Sequence, residues 1–273
     1  MPVTGNNHFS LAHPEEYNLS IRLTPDGFSF CIHNPADPSV FHYQGTSLGN
    51  QLSYIEHIKK VIFDLGFFSQ AFKRTSVTIV SPYYTLVPEA YYDRKKVREL
   101  YQFNFHPKEG SVLVDNFREG AYRILFDLDE ELHAFLSRNL WNPLFLHHTG
   151  SLLRLFHSCR KEQERKSCFV DFHDRSMTII CFSGEMLLCA NTFPAVNIHD
   201  TNYFIASVWE KLGLDQSADR LFLSGQIPPH TATVEMLKKL VRHVDTVNLH
   251  PRVIMEEEQL HTLPTDILAD LCE

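Results

Sequence analysis

No Cys-x-x-Cys pair occurs among the six cysteines, Cys31, Cys159, Cys168, Cys181, Cys189 and Cys272. Zinc ribbons and thioredoxin-like redox motifs need that spacing and are excluded; reduced, buried thiols in a cytoplasmic protein are expected instead. The chain also lacks any apolar run near the roughly 18 residues that span a bilayer, so no direct membrane insertion is expected. Its start, Met1-Pro2-Val3-Thr4-Gly5-Asn6-Asn7-His8, has neither the basic opening nor the apolar core of a secretory signal. Positive charge is in deficit, with 25 Lys and Arg against 33 Asp and Glu and a formal net charge of -8. Phosphate backbones are held by clustered Lys and Arg, so no nucleic acid is expected as the main partner. The densest charge run, residues 160–166, mixes both signs and reads as a solvated helix end or loop. The sixteen histidines are scattered, with no His-Glu-x-x-His and no paired Cys/His spacing. His147 and His148 would point to opposite faces if residues 143–148 form a strand, and no metal site is expected. Gly-x-Ser-x-Gly and kinase signatures are missing too. Gly45-Thr46-Ser47-Leu48-Gly49-Asn50 lacks the Lys-Ser/Thr ending of a phosphate loop and reads as a flexible connection with a polar helix cap.

What is present is a globular composition. The 273 residues are 44% hydrophobic and 21% charged, enough for two domains that need no disulfide or metal staple. Residues 17–23 and 28–33 alternate around Thr24-Pro25-Asp26-Gly27, a hairpin whose Asp26 favours the turn through a local bond. Residues 34–50 read as a connection with one short strand near Val40 to Tyr43. Leu52, Ile55, Ile58, Ile62 and Leu65 recur at helical spacing until Gly66. Strands are expected at 76–80, 111–115, 121–127 and 143–148, and helices at 91–103, 130–138 and 150–159. The charged run is the expected boundary, giving lobes at 1–165 and 166–273, with the C-terminal tail packing back on the first.

The second half opens on residues 168–193, three short strands joined by two tight turns, with Asp171 near the end of the first. A helix follows, with Asp200 as expected N-cap, Phe204, Ile205, Val208, Trp209 and Leu212 as its stripe, and Gly213 closing it. Then come a strand at 220–224 ending in Gly225, a helix at 233–242, a strand at 245–249 and an amphipathic piece at 266–271. Both halves share one order: hairpin or meander, connection, helix, strand, helix. Mixed strands with intervening helices make an α/β architecture.

The succession 169–176, the turn Ser183-Gly184-Glu185, the helix at 201–212 and Phe222-Leu223-Ser224-Gly225-Gln226 resemble the second half of actin-like ATPases. The nearest shape is the type found in pilus-assembly and secretion scaffolds. The whole chain also resembles a Bacteroidetes family classed as a domain of unknown function. The resemblance implies a two-lobed actin-like ATPase fold, related to ribonuclease H, with mixed sheets, helices on the faces and an interlobe cleft for ligand. It implies ATP and magnesium as the cofactors of an active member, and Asp171, His173, Ser176, Ser224 and Gly225 as the nucleotide-binding positions.

In the hydrolysing members each half begins with an Asp on its first strand and a glycine in the following turn. The carboxylate places the hydrated metal and the glycine lets backbone amides approach phosphate. Here His173 stands where the turn glycine is expected. In the first half, Arg22 or Leu23 faces the position of Asp171, depending on a one-residue register. Ser224-Gly225-Gln226 keeps half of a Gly-Gly pair. A nuclease site from Asp171, Asp174 and Asp200 is disfavoured, because Asp174 reads as a turn residue and Asp200 as a cap. The expectation is a non-catalytic or weakly nucleotide-binding scaffold for a protein partner, a second copy in a homodimer included. The alternative is a magnesium-dependent ATPase or phosphotransferase with a divergent cleft site.

Overall fold

The computed structural model describes residues 11–48, 52–106, 110–117, 121–160, 165–173, 175–227 and 230–272. Contacts divide the chain into two units, one of residues 1–116, 121–150 and 252–255, the other of 117–120, 151–251 and 256–273. The division falls after Gly150, not at the charged run. Of the C-terminal segment, only 252–255 group with the first unit.

The first unit begins with β1 (Asn18–Thr24), β2 (Gly27–Asn34) and β3 (Asp37–Ser47), an antiparallel meander. Next come α1 (Tyr54–Leu65), β4 (Arg74–Ile79), β5 (Tyr84–Pro88), α2 (Val97–Gln102), β6 (Gly110–Phe117), β7 (Tyr122–Asp129), α3 (Glu130–Asn139) and β8 (Leu144–His147). α4 (His148–Cys159) contains the division. Its main sheet has the order β3-β2-β1-β4-β8, with β4 parallel to β1 and β8 parallel to β4. A smaller sheet runs β5-β7-β6. α1 starts at a capping box, in which Ser53 Oγ accepts from the Glu56 N–H and Glu56 Oε2 accepts from the Ser53 N–H. Gly66, at φ 74°, ends it in the left-handed conformation.

The second unit repeats the plan. β9 (Lys166–His173), β10 (Ser176–Ser183) and β11 (Met186–Pro194) form the meander; α5 (Ile198–Lys211), β12 (Arg220–Gly225), α6 (Thr231–Leu240), β13 (His243–Thr246), α7 (Glu257–Thr262) and α8 (Thr265–Cys272) follow. The sheet order is β11-β10-β9-β12-β13, with β12 parallel to β9 and β13 parallel to β12. One face packs Cys168, Val170, Phe172, Met177 and Ile179 against Ile205 and Trp209 of α5 and Leu237 of α6. On the other face, alternate residues of β9 build an aromatic tier: Phe169 stacks between Phe156 of α4 and Phe222 of β12.

Several expectations need correction. The connection expected at 34–50 contains the eleven-residue strand β3. It is a sheet edge with most side chains half-exposed, so its sequence carries no hydrophobic alternation to read. Of the 45–50 segment, Gly45 lies inside β3, while 49 and 50 fall outside the described residues. The helix expected at 91–103 shrinks to α2, after short 3-10 turns and the strand β5, which sequence reading missed. The N-cap of α5 is Asn197, whose Oδ1 accepts from the Asp200 N–H at 2.9 Å. Gly213 does take positive φ, 58°, just past that helix.

Candidate functional site

Backbone register builds the cluster that the sequence singled out. His173 and Ser176 close the β9–β10 hairpin, and parallel pairing sets Asp171 beside Ser224. All five expected residues therefore meet at the C-terminal ends of β9 and β12. Asp171 is 2% exposed, and its Oδ1 accepts a hydrogen bond from Ser224 Oγ at 2.7 Å. The His173 ring is buried, with Nε2 2.9 Å from Thr178 Oγ1 and Nδ1 3.2 Å from Ser176 Oγ. Ser176 Oγ also lies 3.3 Å from the His173 carbonyl, and Thr178 Oγ1 lies 2.9 Å from Thr192 Oγ1. These hydroxyls and the imidazole tie β9, β10 and β11 together across one face.

Gly225 explains how the two parallel strands end so close together. Its φ is 77°, and a Cβ there would stand 2.1 Å from the Phe172 carbonyl oxygen and 2.9 Å from Asp171 Oδ1. The space that a side chain would need is filled by the chain's own backbone and carboxylate. The next residue uses the approach: the Gln226 N–H donates to the Phe172 carbonyl at 2.7 Å. Across the strand, the His230 ring stacks on Phe172 at 4.4 Å and 17°.

Ladder register also identifies the first-half counterpart. Thr24 and Gly27 close β1–β2 as His173 and Ser176 close β9–β10. Counting back two residues from each closing pair places Arg22, not Leu23, at the position of Asp171. Arg22 is 5% exposed. Its parallel neighbour is Thr78 where Asp171 has Ser224, and Ile79 stands where the second sheet has Gly225. Asp26 stays in the turn, where its Oδ1 lies 3.5 Å from Thr24 Oγ1. Of the acids weighed for a nuclease, Asp200 is exposed and bonded to Asn197 Nδ2 at 2.6 Å, and Asp174 lies outside the described residues.

Sequence reasoning missed a second polar cluster, in the first unit. Asp115 of β6 is buried, and its Oδ2 accepts the backbone N–H of His147 at 3.1 Å. A Cβ at Gly150 would stand 2.3 Å from the same oxygen. The carboxylate thus sits at the start of α4, where the helix dipole favours negative charge. His147 and His148 do not diverge as expected. β8 ends at His147 and α4 starts at His148, so the change of backbone geometry leaves their rings 4.5 Å apart, with Tyr84 4.6 Å from the first. No local signal links Asp115 to Gly150, because their contact is made by the fold. Among the described residues, no group of three or more His, Cys, Asp or Glu side chains is placed to hold a metal ion. No helix there is long and apolar enough to cross a membrane.

Burial keeps the pKa of His230 below its usual 6.5, and does the same for His133 and, with help from the Arg74 charge, for His33. Each imidazole binds a proton less readily folded than unfolded. Below pH 6.5 the unfolded chain therefore takes up more protons, so stability is full above that pH and declines as pH falls through it. A thermal midpoint lower at about pH 5.5 than at about pH 7.5, with the drop reduced by His230→Phe, is the expected result, still above the usual carboxylate range.

A family model described as protein of unknown function (DUF3822) matches residues 6–244. The chain belongs to this family. Among solved structures it is similar to a Bacteroides thetaiotaomicron protein with an actin-like ATPase fold and unknown function. That match has 24% identity and a TM-score of 0.83, and covers 97% of this chain and 99% of the other. It is also similar to a chain of the PilM–PilN type IV pilus biogenesis complex, at 12% identity and a TM-score of 0.61, covering 94% and 97%. No curated protein matches. The fold of this DUF3822 member is that of the actin-like ATPases, as the sequence resemblance implied.

Proposed function

We propose that this DUF3822 member is a protein-association scaffold on an actin-like fold, and that ATP hydrolysis is not its role. The observation that carries the reading is Arg22, a cation at the first-sheet position matching Asp171. A hydrated magnesium ion needs oxygen ligands there, and a guanidinium supplies none. The rest of the cluster points the same way. Ser224 bonds Asp171, the His173 ring stands at the turn expected to leave room for phosphate, and Phe172 fills the space beside Gly225. The residues present therefore do not suit ATP and magnesium. Likeness to a chain of the PilM–PilN complex supports association as the retained role.

Calorimetric titration of the full chain with ATP and magnesium tests this, with Asp171→Ala in parallel. No heat of binding at millimolar nucleotide is expected. Magnesium-dependent binding that disappears in Asp171→Ala would overturn the scaffold reading in favour of the ATPase or phosphotransferase.

A further inference from the structure

α5 and α6 cover the face of the second sheet that carries Val170 and Phe172, the side of β9 opposite Asp171. Helical spacing puts Ile205 and Trp209 of α5 on one side of that helix, and Leu237 of α6 joins them in the same core. The two helices do not close over their shared floor. Between them lies a cleft of about 460 Å³, floored by Ile205, Trp209, Leu214, Leu237 and Val241, all buried. Small-molecule sites have this size and this apolar make-up.

The floor contains one polar group that the fold leaves unused. Trp209 is 6% exposed, and its indole Nε1–H has no hydrogen-bond acceptor among the described residues. A buried indole N–H is normally satisfied, because a bond left unmade in the interior costs free energy that packing does not return. The other four floor residues are aliphatic and bring no side-chain acceptor. An oxygen arriving with an occupant supplies one.

Charge narrows the occupant further. Glu210, exposed at the rim, is the one ionisable side chain on the lining among the described residues. Both helices also end here, α5 at Lys211 and α6 at Leu240, and helix C-termini carry partial negative charge. The last-turn lysines Lys211, Lys238 and Lys239 lie off the lining. An anion is therefore turned away. A cation would give up its hydration to apolar walls for one exposed carboxylate, a pairing worth little.

We propose that the α5–α6 cleft binds a small uncharged molecule with an apolar body and one carbonyl oxygen, which accepts the Trp209 indole N–H. A hydrocarbon would fill the same volume and leave the donor unmet, so the carbonyl is what Trp209 selects. This goes beyond the scaffold reading. The cleft and Asp171 lie on opposite sides of the sheet, so nucleotide calorimetry and ligand binding here fail separately.

Three probes of similar size test the selection: acetophenone with the carbonyl, ethylbenzene without it, and benzoate as the anion. Each is titrated into the isotopically labelled full chain while the indole N–H signals of its two tryptophans are followed by NMR. Trp141, 63% exposed and off the cleft, is replaced in Trp141→Phe to assign the signal of Trp209. Acetophenone is expected to shift that signal and to bind about fivefold tighter than ethylbenzene, the worth of one ordinary hydrogen bond. Benzoate is expected not to bind. In Trp209→Phe the ketone and the hydrocarbon should bind alike, while the wild-type comparison stands even if that variant fails to fold. Equal wild-type affinity for ketone and hydrocarbon, a ketone preference that survives Trp209→Phe, benzoate binding as well as acetophenone, or a Trp209 signal unmoved up to about 10 mM acetophenone each overturns the proposal. A cleft reserved for a side chain of another protein would give the last of these.

Discussion

Gly225→Ala is expected to destabilise the second unit by about 3–5 kcal/mol, several times more than the same change at Gly213. Both glycines have positive φ, 77° and 58°, and an L-residue in that region costs roughly 1–2 kcal/mol at either. Only at Gly225 does the new methyl meet backbone. It would lie 2.1 Å from the Phe172 carbonyl oxygen, whereas the nearest atom at Gly213 is Lys166 Nζ at 3.9 Å, the end of a flexible side chain. β9 and β12 must then separate where Ser224 bonds Asp171 and Gln226 bonds Phe172. Leaving a buried donor or acceptor without its partner costs about 1–3 kcal/mol, which makes up the remainder. Urea denaturation of the two variants measures the difference directly. Equal losses would mean that backbone strain alone, and not the close strand approach, fixes glycine at 225.

The elements with strong local chemistry were readable from sequence. The Pro-Asp-Gly turn between alternating runs, the helix read from Leu52 to Leu65 and closed by Gly66, and the 168–193 meander each combine a periodic apolar pattern with turn or cap residues, and all three are present. β3 was read only as a short piece at 40–43, because an edge strand with two half-wet faces need not alternate. β5 was lost because its Tyr-Thr-Leu-Val run is short and leads into 3-10 turns. At the site, the sequence supplied Asp171, His173, Ser176, Ser224 and Gly225 as neighbours but left two first-half residues competing for one position. Register decides between Arg22 and Leu23, and register is a property of the ladder, since a one-residue slip turns every side chain to the other face. The Asp115 contact with Gly150 was invisible for a related reason: it joins a strand to a helix start distant in the chain.

Phe169→Ala should cost about 3–5 kcal/mol, as expected when a fully buried aromatic leaves a cavity that its neighbours cannot fill. Phe169 lies 4.6 Å from Phe156 at 10° and 4.9 Å from Phe222 at 16°, with Phe182 edge-on at 6.1 Å and 83°. Both flat faces are occupied, so collapse would require α4 and β12 to move together. Two residues along the same face of β9, Asp171 sits at the polar end of the row. Asp171→Asn keeps the shape and an oxygen for Ser224, and should cost no more than about 1.5 kcal/mol, the worth of an ordinary hydrogen bond. Denaturant midpoints of the two variants rank these effects. An Asp171→Asn loss matching that of Phe169→Ala would mean that the charge itself holds the sheet together. The expected ranking puts the stability of β9 in its aromatic tier, so the strand can lose the chemistry at its polar end without losing its place in the fold.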